Sequence, residues 1–181
     1  MKTMFSKIKT YNGEIERADI SEMEFIPNGM YKELSNLVAK SNEEKIDLIN
    51  NSSYHHQRPH MVKESTEEFK YPCVQNVNTK NEISCLWYSN TNKKGHFEIP
   101  KVIFGRNHSG VIIDESGEYG MAEDCGAIVD ETKNLPFILK AMFHPDFLKI
   151  LKQCDFGGKE DVYNKKVIGV FRKDFWKEFQ Y

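Results

Sequence analysis

Two seven-residue runs, Tyr-Pro-Cys-Val-Gln-Asn-Val over 71–77 and Ile-Ser-Cys-Leu-Trp-Tyr-Ser over 83–89, constrain this chain more than any other feature. Both are rich in β-branched and aromatic residues, which suit a pleated, half-buried surface. Asn78, Thr79, Lys80, Asn81 and Glu82 separate them, and that is a hairpin-turn composition. The stretch therefore reads as an antiparallel pair. Further short strands are expected over 101–104, 110–113 and 126–129, completing a small sheet. The pattern then turns helical. Leu135, Ile138, Leu139 and Met142 recur at helical spacing over 134–143, and Pro145 stands at the first position of a second helix over 145–152. A last strand is expected over 167–171 and a short aromatic helix over 173–179.

The first third of the chain is read as helical. Residues 1–24 are polar and mixed, with one short strand around 4–8, and are expected to form an arm or connector. Phe25-Ile26-Pro27-Asn28 makes a turn, because proline fixes its own φ and holds Ile26 extended. Met30, Leu34, Leu37 and Val38 then follow a helical spacing. Ser41-Asn42-Glu43-Glu44 resembles an N-cap with an acidic first turn, leading a second helix that carries Ile46, Leu48 and Ile49. The expected fold class is α+β: a small mixed or antiparallel sheet, an N-terminal helical hairpin and C-terminal helices, in a single domain over 25–181. A chain of 181 residues is long enough to bury a core of that kind.

Several classes of function are set aside by composition. The longest apolar runs fall far short of the roughly 18 residues of a membrane helix, and the first residues lack the apolar stretch of a signal peptide. A cytoplasmic protein without a membrane partner is expected. Cys73, Cys85, Cys125 and Cys154 form no Cys-x-x-Cys pair, which favours reduced thiols over a disulfide framework or zinc knuckle. Tyr54-His55-His56-Gln57-Arg58-Pro59-His60 invites a metal, since His56 and His60 have the i, i+4 spacing of helical ligands. Pro59 would break such a helix, and no further Cys or His cluster supplies the remaining ligands. The expectation is no metal there, but a solvated loop that can lie near a polyanion.

Charge singles out one region. The formal net charge of -2 gives no global attraction to nucleic acid, so any such role must rest on a local patch. Between 90 and 108, Lys93, Lys94, Lys101 and Arg106 are opposed only by Glu98. Asp114, Glu115, Glu118, Glu123, Asp124, Asp130 and Glu131 follow with no basic residue among them. The basic stretch is the expected DNA-facing surface. Lys93, Lys94 and Lys101 are assigned to phosphates, while Arg106, Asn107 and one of His96 or His108 approach base edges.

An ordered set of motifs gives a family resemblance. Phe25-Ile26-Pro27-Asn28, Phe69-Lys70-Tyr71-Pro72, Gly95-His96-Phe97, the run from Ile99 through Gly105, Ile113-Asp114, Gly117-Glu118-Tyr119-Gly120-Met121 and Phe171-Arg172-Lys173-Asp174-Phe175-Trp176 occur in this order. Together they resemble the target-recognition region C-terminal to the catalytic domain of adenine-specific DNA methyltransferases of restriction–modification type, cellular, phage and viral. The resemblance runs from about Phe25 onward. It implies a module that reads duplex DNA beside a methyltransferase or nuclease subunit. Asn134-Leu135-Pro136-Phe137 resembles the amine-holding Asn-Pro-Pro-Phe/Tyr box of these enzymes but lacks the first proline and lies at a helix start. No glycine-rich loop follows a strand. No cofactor is therefore expected in this chain, S-adenosylmethionine belonging to a catalytic partner, and a separate specificity domain without catalytic residues is the reading. Three other readings stay open. One is a small restriction endonuclease holding magnesium through acidic residues such as Asp114 and Glu118. Another is a protein-interaction module with an aromatic surface. The third is a decayed remnant with neither activity.

Overall fold

The computed structural model describes residues 5–10, 13–19, 21, 23–51, 53–105, 110–154 and 163–181. In chain order its elements are β1 (Phe5–Lys9), β2 (Ile15–Asp19), α1 (Tyr31–Leu37), β3 (Asp47–Ile49), β4 (Met61–Val62), β5 (Tyr71–Val77), β6 (Ile83–Ser89), β7 (Lys101–Gly105), β8 (Val111–Asp114), β9 (Gly120–Met121), β10 (Cys125–Val129), α2 (Leu135–Met142), α3 (Pro145–Gln153) and α4 (Lys165–Ile168), with a terminal 3-10 turn at Phe175–Phe179. The architecture is α+β, as expected from the sequence.

Alternation along β7 explains the layering. Successive side chains of a strand point to opposite faces. Val102 and Phe104 therefore enter one core while Ile103 enters another. β7 is central in a four-stranded sheet of order β3-β10-β7-β8, all of whose pairings are antiparallel. One face of that sheet is covered by α1, α2, α3 and the terminal turn, through Leu34, Ile138, Phe147 and Phe175 among others. The other face packs against a second sheet, order β4-β6-β5-β9, with Val74, Val77 and Met121 meeting Ile103 and Ala127. The result is three layers: helices, sheet, sheet.

The hairpin expected over 71–89 forms with its predicted ends, β5 against β6. Two elements differ. The segment read as a second helix is strand β3, which pairs antiparallel with β10 through Ile49 and Ala127, so no helical hairpin forms there. The segment read as a last strand is instead α4. Asn164 caps it, its side-chain oxygen accepting from the Lys166 N–H at 2.9 Å. Only Phe171 and Arg172 make isolated bridges, to Val38 and Lys45. The amino-terminal stretch folds as the β1–β2 hairpin, and the Glu16 carboxylate accepts the Tyr31 N–H at 2.8 Å at the start of α1. Among the described residues no helix is long and apolar enough to cross a membrane.

Candidate functional site

Three segments converge beside the β4-β6-β5-β9 sheet. They are the turn over 53–60, the loop over 90–100 and the turn over 114–119. Tyr54 is the pivot. It is fully buried, its ring meets His96, Phe97 and His60 edge-on, and its hydroxyl accepts the Lys94 N–H at 3.0 Å. Burial pushes the Tyr54 phenol up to about 12, so it is a neutral O–H at any ordinary pH.

The far side of the loop rests on the turn over 114–119. The Glu98 N–H donates to the Gly117 carbonyl at 2.8 Å. Gly117 has φ +71°, and a Cβ there would stand 2.2 Å from the Ile99 nitrogen, so only glycine fits. The turn itself is held by Asp114. Its Oδ1 accepts from the Glu118 N–H at 2.9 Å, and its Oδ2 accepts from the Tyr119 N–H at 3.0 Å and from Lys101 Nζ at 2.6 Å.

This geometry divides the residues expected to face DNA. Lys93 and Lys94 are exposed, as anticipated. Lys101 is not: it is 0% exposed, and its ammonium is taken up by Asp114 and the Ile99 carbonyl at 3.2 Å. It cannot reach a phosphate, because withdrawing it would strand the Asp114 carboxylate in the interior. Burial lowers its pKa and Asp114 works against that lowering. His96 is also 0% exposed, its Nε2 2.6 Å from Asn51 Oδ1 and its Nδ1 accepting the Met121 N–H at 3.2 Å. Burial, helped by the Lys101 charge, pushes its pKa down to about 4, so it is a neutral brace rather than a surface contact. Arg106, Asn107 and His108 fall outside the described residues. They link β7 to β8, whose flanking Gly105 N–H donates to the Gly110 carbonyl at 3.0 Å. The loop bearing Lys93 and Lys94 thus precedes β7 and the Arg106 link follows it. Five residues of strand put about 13 Å between the two ends.

Other groups singled out in the sequence are also placed. Asp114 is buried, and both of its oxygens accept hydrogen bonds from within the protein. Asn134 Nδ2 donates to Asp130 Oδ1 at 2.9 Å, ahead of α2. Cys73, Cys125 and Cys154 are buried thiols whose pKa burial raises to about 12, which makes them poor nucleophiles.

One cluster is marked in the sequence by its histidines alone. The turn over 53–60 crosses the outer face of the sheet and brings His55 and His56 to Glu123, which follows β9 at the opposite edge from β4. His55 Nε2 contacts Glu123 Oε2, and His56 Nδ1 lies 3.0 Å from Glu123 Oε1. The two imidazoles stack with centroids 4.6 Å apart, and His56 leans on Trp87 at 5.3 Å. His60, the i, i+4 partner of His56, is elsewhere, its Nε2 3.1 Å from the Ser53 carbonyl. No local spacing announces Glu123, because strand pairing rather than proximity in sequence brings it to the histidines.

Comparison with protein-family models, with curated proteins and with solved structures finds no match.

Proposed function

We propose that this chain is a non-catalytic, sequence-specific duplex DNA-binding module, a target-recognition unit working beside an S-adenosylmethionine-dependent adenine DNA methyltransferase or restriction–modification enzyme. The observation that carries the reading is the pair Lys93 and Lys94. Both ammonium groups project from a loop fixed at one side by Tyr54 and at the other by the Asp114 turn. Cations carried on a loop whose backbone is held position a phosphate backbone, whereas base reading needs a second element. The β7–β8 link supplies Arg106, Asn107 and His108 for it. Base flipping and methyl transfer then belong to a partner.

Two titrations test this. The protein should bind a fluorescent duplex with an affinity that falls steeply as salt rises, and should bind S-adenosylmethionine not at all. Absence of duplex binding at low salt sinks the proposal. Stoichiometric cofactor binding would instead make the chain a catalytic subunit.

A further inference from the structure

We infer that His55, His56 and Glu123 form a binding site for a zinc-class divalent cation. The argument is independent of DNA binding. The three ligand atoms lie within 4.8 Å of one another in a half-buried setting. Two atoms each about 2.1 Å from one ion can be at most about 4.2 Å apart, so modest side-chain rotations close the set.

Hydrogen bonding alone leaves this cluster incomplete. His56 Nδ1 is buried and sits 3.0 Å from Glu123 Oε1, yet it has no hydrogen-bond partner among the described residues. A buried nitrogen without a hydrogen-bond partner is destabilising. Coordination of a cation by its lone pair removes that cost, and the same ion neutralises the Glu123 carboxylate. The opposing term is at His55, whose Nδ1 accepts the Gln57 N–H at 3.1 Å. Metal binding through Nε2 requires the tautomer with the proton on Nδ1, which releases that N–H. The bond is exposed, so water replaces it.

The donor set selects the ion. Two imidazole nitrogens and one carboxylate suit zinc and its first-row neighbours, while magnesium and calcium prefer all-oxygen shells. Three protein ligands leave a fourth position for water. Neighbouring contacts orient the third ligand: Lys165 Nζ donates to the Glu123 carbonyl at 3.0 Å, and Gln75 Nε2 to the adjacent Asp124 carboxylate. The ion would tie the turn over 53–60, which precedes the edge strand β4, to the segment after the opposite edge strand β9. It would therefore fix the turn from which Tyr54 holds the Lys94 loop.

Calorimetric titration of the chelator-treated full chain with zinc chloride tests the site. One ion per chain is expected, with a rise in melting temperature that magnesium chloride does not reproduce. Glu123→Gln should abolish stoichiometric binding, while His60→Asn should bind as the unaltered chain does. Cobalt(II) should give visible absorption bands that Glu123→Gln lacks. If Glu123→Gln does not fold, His55→Gln, altered on the turn rather than beside β9, takes its place. The proposal is overturned if zinc does not bind stoichiometrically, if the ligand variants bind it unchanged, or if His60→Asn loses it equally.

Discussion

Lys101 and Lys94 belong to one basic stretch of sequence and have opposite fates. Lys101 is enclosed, with its ammonium on the Asp114 carboxylate and the Ile99 carbonyl. Lys94 is fixed through its backbone N–H to Tyr54, and its side chain stays in solvent. The difference comes from position in the sheet. Lys101 opens β7, a central strand whose five residues are all buried, so its charge is enclosed and must find a partner within the protein. Lys94 lies between elements, where nothing covers it. A run of like charges on a sequence is thus two objects: a brace at the base of a loop and a free surface at its tip.

The largest expected effect breaks the brace. Asp114→Ala leaves the Lys101 ammonium buried without its anion and removes the acceptor of two backbone N–H groups, at a cost of about 3–5 kcal/mol in urea unfolding. Lys101→Met should cost less, because the Glu118 and Tyr119 N–H groups still hold the carboxylate. If Asp114→Ala costs no more than an exposed substitution, the enclosed pair is not what holds the turn.

Next in size is a pH effect at His96. Its folded pKa of about 4 lies below the 6.5 of a free imidazole. Between those values the unfolded chain binds a proton that the folded chain refuses, so stability rises with pH across the window and falls on acidification. The contribution is complete above about pH 6.5. About 3 kcal/mol is lost by pH 4, as an order of magnitude. The slope of unfolding free energy with pH should therefore be steeper in the native chain than in His96→Gln over that interval. Equal slopes would mean that His96 is protonated in the folded state.

Tyr54→Phe sharpens the contrast from the other side. The ring contacts remain, but the Lys94 N–H is left without its acceptor, which should cost about 1 kcal/mol. Hydrogen exchange at the Lys94 amide should quicken while that at Val102 and Ile103, inside β7, does not. Exchange quickening equally at all three would show that the loop and the sheet open together.

The parts of this fold legible in the sequence are those set by local pattern. The β5–β6 hairpin is readable from composition and its turn, and α2 and α3 from their apolar spacing and Pro145. β3 is not. Ile46, Leu48 and Ile49 are as compatible with a short helix as with a strand, and the choice is made by β10, far along the chain. For α4 a signal exists in Asn164, a good N-cap, but the β-branched pair Val167 and Ile168 points the other way, toward a strand. The same limit applies to candidate sites. The charge run locates Lys93 and Lys94 but does not tell them from Lys101, since burial is decided by sheet order. His55 and His56 are visible as a histidine run, while Glu123 becomes their neighbour only when the turn over 53–60 crosses the sheet.

The smallest effect on stability is expected where the effect on function should be greatest. Lys93→Ala with Lys94→Ala removes two exposed side chains that cover no core residue, so unfolding free energy should change by less than about 0.5 kcal/mol. Duplex binding should nevertheless weaken for every sequence. The logarithmic dependence of affinity on salt should flatten by about two, one for each phosphate that the lysines no longer neutralise. Arg106→Ala is the informative contrast, because it lies beyond the other end of β7. If Arg106 reads a base through a bidentate pair, its removal should cost about 1–3 kcal/mol at one base pair and leave scrambled duplexes unaffected. Titrations of the native chain and both variants, against matched and scrambled duplexes at several salt concentrations, separate positioning from reading. If the lysine pair alters neither affinity nor salt slope, the exposed tip of the loop does not touch phosphate, and its exposure carries no function in DNA binding.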